Sequence, residues 1–203
     1  MAYLAAILLG YLLGCSNMAL YLSRLYNVDF RKGGSGNLGA SNATVLMGWK
    51  AGVLVALHDI GKAALAVFLA RLFFPDTARI GAVAGVSCVL GHIFPFYLKF
   101  RGGKGFAAYI GMTIALNWRL ALVVCIAVVL VTILTDYIVA GTMTTIITVP
   151  TYLGVAGQDL LLALILLIAT AVIIFKHLEN FKKILRGQEI GLRSTIRGKN
   201  RIK

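Results

Sequence analysis

Acidic residues are the scarcest chemistry in this chain. Seven Asp and Glu stand against 20 Lys and Arg in 203 residues, a formal charge of +13. Two carboxylates spaced for acid–base work are missing, as are a Ser-His-Asp order and a metal-ligand cluster. The three cysteines, Cys15, Cys88 and Cys125, sit inside apolar runs without CxxC spacing. That excludes a disulfide framework and a zinc site, and leaves them as small buried hydrophobes. No basic n-region precedes the first apolar run and no clear cleavage site follows it, so that run reads as a retained span and not a signal peptide. No internal repeat stands out. No basic–aromatic module is present, so the positive charge is not read as a nucleic-acid footprint.

What the chain has in excess is apolar residue. The hydrophobic fraction is 60% and the charged fraction 13%, against roughly one-half and one-quarter in soluble domains. The apolar residues fall into segments at 2–23, 51–74, 79–95, 105–117, 119–135, 138–157 and 159–177. A spanning helix needs about 20 such residues. The pattern predicts an all-α polytopic membrane helix bundle of about seven transmembrane helices. The pieces at 79–95 and 105–117 are short enough that five spans are also open. Either number is odd, so the two ends lie on opposite sides. With seven spans, 16 of the basic residues fall in one set of connections and the tail, and three (Arg71, Arg79 and Arg119) in the other. The positive-inside bias then puts the N-terminus outside and the C-terminus in the cytoplasm. A single domain, 1–203, is expected, with membrane lipid around it. Gly81 and Gly85 have the GxxxG spacing of helix packing. The stretch from Gly187 to Lys203 is polar and basic, and reads as frayed or lying on the lipid surface.

Three polar stretches share the predicted cytoplasmic side. In the first, 33–42, four glycines in seven residues let backbone amides converge, and Ser35, Asn37, Ser41 and Asn42 add neutral groups. This is either an anion nest or a flexible connection. In the second, 91–106, Gly102-Gly103-Lys104-Gly105 places a cation in a backbone that a ligand can approach closely, just before an apolar run. A helix start there would add its dipole. The spacing is not that of a Walker A loop. In the third, 177–189, His177 and Asn180 are three apart and share a helix face. They are either catalytic or a polar end to the last span. His58, Asp59 and Lys62 lie inside the second span, where ionisable groups are rare. Asp59 and Lys62, at i, i+3, either neutralise one another or serve a site.

The segments Ser35-Gly36-Asn37-Leu38-Gly39-Ala40-Ser41-Asn42, Gly91-His92-Ile93-Phe94-Pro95 with Lys99 through Phe106, and His177-Leu178-Glu179-Asn180 with Gly187-Gln188-Glu189 resemble the three signature motifs of the bacterial acyl-phosphate:glycerol-3-phosphate acyltransferases, the PlsY type. Asp59, Gly61 and Lys62 also fit that family's second span. The resemblance covers nearly the whole chain. It implies a seven-span inner-membrane enzyme facing the cytoplasm, which moves a fatty acyl group from acyl phosphate to the 1-hydroxyl of glycerol 3-phosphate and yields lysophosphatidic acid for phospholipid synthesis. It implies no metal and no cofactor. By resemblance, His177, Asn180, Ser35 and Lys104 carry catalysis, while Asn37, Gly39, Ser41, Asn42, Gly102, Gly103, Gly105 and Thr142 bind substrate.

The chain also departs from the pattern. Val45 stands where the family usually has Arg. Asp136-Tyr137 replaces an Arg-Tyr turn, Val139 follows where serine is common, and Thr142 replaces a Ser. A lost Arg removes a charge-assisted phosphate contact. Two alternatives therefore stand beside the acyltransferase reading: an acyltransferase with another polar acceptor, and a non-catalytic phosphate or lipid binder or transporter. Acyl-chain preference and oligomeric state are not legible.

Overall fold

In the computed structural model of the chain, residues 1–193 are described. Among them the regular structure is all helical, without strands. Six helical stretches are long and apolar enough to cross a membrane: Ala2–Tyr26, Trp49–Phe73, Ile80–Leu98, Trp118–Thr135, Ile138–Ala156 and Leu160–Leu185. A seventh apolar helix, Phe106–Leu116, has 11 residues. At 1.5 Å per residue it is roughly 16 Å long, about half a hydrocarbon core. All seven expected apolar segments are thus helices. Helix is the solution that hydrocarbon imposes, because each backbone N–H and C=O finds its partner within the segment. The chain divides into two compact units, Met1–Asn117 and Trp118 onward.

In the first unit, α1 (Ala2–Cys15) and α2 (Met18–Tyr26) form one apolar stretch broken at Ser16–Asn17. Asn17 restarts the helix as its N-cap, its Oδ1 accepting from the Leu20 amide at 2.9 Å. The short α3 (Ala40–Met47) precedes α4 (Trp49–Phe73), and α5 (Ile80–Ile93) and α6 (Phe106–Leu116) complete the unit. Close backbone approach joins α1 to α5. Gly10 lies on the Ala84 carbonyl, Gly14 on the Cys88 carbonyl and Gly91 on the Tyr11 carbonyl, and a Cβ at any of the three would overlap backbone atoms. Gly111 of α6 sits in the same way on the Ile60 carbonyl of α4. Gly81 and Gly85 are crowded too, but by the side chains of Val67, Arg71 and Met112. The glycine pair that brings two backbones together is therefore Gly10 and Gly14, which share the same spacing. Leu4, Leu8 and Leu12 on α1 and Leu57, Leu65 and Phe68 on α4 remain exposed, as lipid-facing positions should.

The second unit is a three-helix meander of α7 (Trp118–Thr135), α8 (Ile138–Pro150) and α9 (Leu160–Leu185), with a π-helical turn at Thr151–Ala156 extending α8. Asp159 caps α9, its Oδ1 accepting from the Leu162 amide at 3.0 Å. Thr170 donates to the Ile146 carbonyl at 2.9 Å and fastens α9 to α8. The last span was expected to end at 177, but the helix runs on to Leu185. A Glu179–Lys182 pair at 2.7 Å supports the extra turns. The polar stretch after Gly187 is not frayed over its described part: Leu192 and Arg193 return to the α7–α8 turn, with the Leu192 amide donating to the Asp136 carbonyl at 2.8 Å. The rest of that stretch, 194–203, lies outside the described residues.

Two glycine substitutions separate packing from propensity. Gly14→Ala should lower the unfolding temperature in detergent, since overpacking a tight contact costs about 1–3 kcal/mol. Gly61→Ala, at a position where nothing among the described residues lies within 4 Å of an added Cβ, should be neutral or stabilising by up to ~1 kcal/mol. A thermal melt of both variants beside the parent checks the pair.

Candidate active site

The first glycine loop is folded around one side chain. Asn42, buried at the start of α3, accepts the Ser35 amide on Oδ1 at 2.8 Å. Its Nδ2 donates to the Phe30 carbonyl at 2.8 Å and the Gly33 carbonyl at 3.3 Å. Gly34 and Gly36 are in the left-handed region at φ 58° and 70°, which lets the chain turn around that amide. Phe30 and Leu38 are sunk into a core with Ala19, Leu22, Ala43 and Val55. They pin the loop's two ends and leave Ser35 and Ser41 exposed. Asn42 was expected among the ligands. The structure commits its amide to the loop's own backbone, so its work is to shape the loop. Gly39 is the N-cap of α3, and no side chain caps that helix among the described residues. Its first amides are those that a helix start leaves to other acceptors, and Asn37 and Ser41 flank Gly39 in sequence.

The second loop repeats the device. Gly105, at φ 91°, is the N-cap of α6, again without a side-chain cap among the described residues, and Lys104 sits immediately before it. Gly102 and Gly103 donate back to the carbonyls of Ile93 and His92 at 3.0 and 3.2 Å. A Cβ on Gly102 would strike the His92 carbonyl, and one on Gly103 the His92 ring. Only glycine fits at either position. The two loops meet within this unit: Arg31 Nη2 donates to the Arg101 carbonyl at 3.1 Å, and Leu98 packs on the core that holds Phe30 and Leu38.

Behind the second loop lies a buried polar cluster. Lys62 Nζ donates to the Ser16 carbonyl at 2.6 Å and to His92 Nδ1 at 2.9 Å. It stands 2.7 Å from Asp59 Oδ1, an ion pair held by charge more than by hydrogen-bond direction. His92 Nδ1 thus faces both the Lys62 ammonium and Asp59 Oδ1, the latter at 3.3 Å. His58 Nε2 lies 3.0 Å from Ser16 Oγ. The Tyr97 hydroxyl donates to the Cys15 carbonyl at 2.6 Å. Ser16 and Cys15 are the residues whose carbonyls the helix break releases, and Lys62 and Tyr97 satisfy them. The mutual neutralisation expected of Asp59 and Lys62 is present. The part played by His92 was missed, although the Gly91-His92 step was visible in the second motif.

In the second unit, His177 and Asn180 are buried on the same face of α9, as their spacing predicts. His177 Nδ1 lies 2.8 Å from the Ile173 carbonyl. A carbonyl only accepts, so Nδ1 carries the proton and Nε2 is the acceptor of the neutral ring. Asn180 Nδ2 donates to Glu189 Oε1 at 2.6 Å. Thr142 is buried on α8, and its hydroxyl donates to the Ile138 carbonyl at 3.0 Å. That leaves only acceptor lone pairs, a poor offer to phosphate.

These features define a class: an all-helical integral membrane protein in which two glycine-built, helix-start loops offer sites for anions. Comparison with known proteins gives the family. The glycerol-3-phosphate acyltransferase family model matches residues 4–187. Glycerol-3-phosphate acyltransferase 1 of Oceanobacillus iheyensis is 36% identical over 205 residues, covering 96% of this chain and 97% of that one. The glycerol-3-phosphate acyltransferase of Coxiella burnetii is 36% identical over 190 residues, covering 93% and 97%. The crystal structure of PlsY (YgiH), an integral membrane glycerol 3-phosphate acyltransferase, in its glycerol 3-phosphate form superposes with a TM-score of 0.88 at 30% identity, over 96% of this chain and 97% of that one. Its lysophosphatidic acid form gives 0.85 at 30% identity, over 94% and 95%. The chain belongs to the glycerol-3-phosphate acyltransferase family and is a multi-pass membrane acyltransferase.

Removing one partner of the buried pair should be costly. Lys62→Met takes the ammonium from the buried Asp59, leaving its Oδ1 to His92 Nδ1 at 3.3 Å and His58 Nδ1 at 3.5 Å, and should destabilise the protein by about 3–5 kcal/mol. The double variant Asp59→Asn with Lys62→Met should recover much of that loss. Unfolding in detergent, followed by intrinsic fluorescence, reads both. Equal destabilisation of the single and double variants would contradict the pairing.

Proposed function

We propose that the chain transfers a fatty acyl group from acyl phosphate to the 1-hydroxyl of glycerol 3-phosphate, forming lysophosphatidic acid at the cytoplasmic face of the inner membrane. The single observation that carries this reading is the pair of glycine loops in the first unit, each ending at a helix start with no side-chain cap among the described residues and bridged by Arg31. A reaction in which both substrates carry a phosphate calls for two anion sites. The family relatives supply the acceptor. The donor is what the resemblance of the three motifs implies, and an acyl phosphate, being a mixed anhydride, needs no protein nucleophile.

In this reading the hydroxyl oxygen attacks the acyl carbon, the bond from that carbon to the phosphate oxygen breaks, and phosphate leaves with the electron pair. The hydroxyl proton passes to a phosphate oxygen; His177 Nε2, the acceptor nitrogen of its ring, is the rival base. Lys104 with Gly102, Gly103 and Gly105 holds one phosphate. Ser35, Asn37, Gly39 and Ser41 hold the other, and His177 and Asn180 orient the acyl phosphate. The reading further takes 1–203 as one functional domain, with seven spans, the N-terminus outside and the C-terminus in the cytoplasm. One observation favours the variant with a different polar acceptor. Val45, where the family pattern has Arg, stands beside Gly34 in the first loop and adds no charge there.

Membranes containing the protein should convert acyl phosphate and glycerol 3-phosphate to lysophosphatidic acid, followed by mass spectrometry. Lys104→Ala should lower kcat/KM by about 10–100-fold, the loss of one charge-assisted contact. No product with glycerol 3-phosphate, but phosphate release with another polyol or polyol phosphate, would move the conclusion to the variant. No acyl transfer to any acceptor, with a working relative assayed in parallel, would sink both.

A further inference from the structure

The residue at the α7–α8 turn is an acid in a chain poor in acids, and it is fully engaged. Asp136 holds a left-handed backbone at φ 73°. Its carbonyl accepts the Leu192 amide at 2.8 Å, and its Oδ1 accepts the Arg193 amide at 2.7 Å. Its Oδ2 lies against Gly191, where any Cβ would overlap it. Arg193 Nη2 closes the clasp by donating to the Ile133 carbonyl at 3.1 Å, one of the acceptors left open at the end of α7. Four contacts thus draw the segment after α9 back to the turn before α8.

That segment has a second attachment. Between Gly187, at φ 66°, and the clasp stands Glu189, which accepts from Asn180 Nδ2 at 2.6 Å. Glu189 is separated from Gly191 by one residue. Fixing Gly191–Arg193 therefore fixes where the Glu189 carboxylate can reach. That carboxylate in turn decides which way the Asn180 amide faces, because an Asn amide held by Nδ2 must present Oδ1 on its other side. We propose that Asp136 is a positioning residue for catalysis, acting through the clasped segment and Glu189 to set the rotamer of Asn180. This rests on the reading of Asn180 as a group that orients the acyl phosphate. Asp136 touches no reacting atom. It removes the freedom that a position four residues past the end of α9 would otherwise give the glutamate, and so limits the entropy lost each time the site is organised.

The test uses the full-length protein in nanodiscs with two measurements. Hydrogen exchange over 187–193 reports the clasp without turnover. Steady-state kinetics reports catalysis. Asp136→Ala should remove protection from the segment, lower kcat about tenfold and leave both KM values within about twofold, the pattern of a lost transition-state alignment. Asp136→Asn should recover most of the loss, because asparagine keeps an Oδ1 acceptor and tolerates the left-handed backbone. Gly191→Ala, which crowds Oδ2 from the other side, should reproduce Asp136→Ala. In a Glu189→Ala background, Asp136→Ala should add little, since both act through one amide. The proposal falls if Asp136→Ala frees the segment while kcat holds, if the two losses multiply, or if protection does not change. Absence of acyl transfer in the wild type would sink the functional reading and the catalytic half of this proposal with it. The exchange data would then still say whether the clasp exists.

Discussion

A lysine ammonium placed inside an apolar span must be surrounded by acceptors, and in the first unit the position of everything near the second loop follows from how Lys62 meets that demand. One acceptor is the Ser16 carbonyl, released where α1 breaks before Asn17. A second is His92 on α5, and the charge is balanced by Asp59 one helical turn back on α4. The backbone of that same His92, with Ile93, then receives the amides of Gly103 and Gly102. A broken helix, two unbroken helices and a glycine loop are thus tied to one nitrogen. Buried pairs of this kind add little net stability over apolar packing, because desolvation offsets the attraction. Their return is geometric: an apolar cluster tolerates sliding, whereas a cation with three specified neighbours does not. The Cys15 carbonyl, freed by the same break, is met by Tyr97 from the other side of the loop, so the discontinuity is sealed at both of its open acceptors.

How much of this was legible depended on whether the information was local. The apolar runs gave all seven helices, since spanning length and the need for internal hydrogen bonds leave few other outcomes. The i, i+3 relations were equally safe: Asp59 pairs with Lys62, and His177 and Asn180 share a buried face, because helical geometry alone decides both. Partnership between distant segments was not legible. Gly10 and Gly14 have the same spacing as Gly81 and Gly85, yet only the first pair meets a backbone, and no local rule tells a glycine facing a carbonyl from one facing a valine. The directions of the Asn42 and Thr142 hydrogen bonds were hidden for a related reason. A polar residue in a motif advertises a hydrogen bond but not its direction, and both spend theirs inward, on Phe30, Gly33 and Ser35 for Asn42 and on Ile138 for Thr142. The break at Ser16–Asn17 lies inside a run that reads as one span. Its only sign was a small polar pair, which a membrane helix often tolerates without breaking.

The charge near each loop bears on which substrate each serves. A helix start contributes about half an elementary charge. The second loop adds Lys104 to the start of α6, for about one and a half positive charges, close to the roughly −1.5 to −2 of a phosphate group. Between Gly33 and Asn42 the first loop has the start of α3 and neutral donors, Val45 brings no cation, and the guanidinium of Arg31 is turned to the Arg101 carbonyl. Its deficit is about one charge relative to the second loop. A backbone held in shape by Asn42 and by left-handed glycines would lose little entropy when the first amides of α3 engage a ligand, which suits it to an anion. Were the acceptor held by the first loop, its phosphate would stay remote from the bond being made and carry the same charge in the ground and transition states. An interaction of that kind contributes uniform binding: weakening it raises KM and leaves kcat nearly untouched. The donor's phosphate is the one whose charge grows as the anhydride cleaves, so a cation is worth most there, and that is the loop where the lysine is kept. On that assignment the family's arginine, replaced by Val45, would bear on acceptor occupancy, where the chemical step is least sensitive to it.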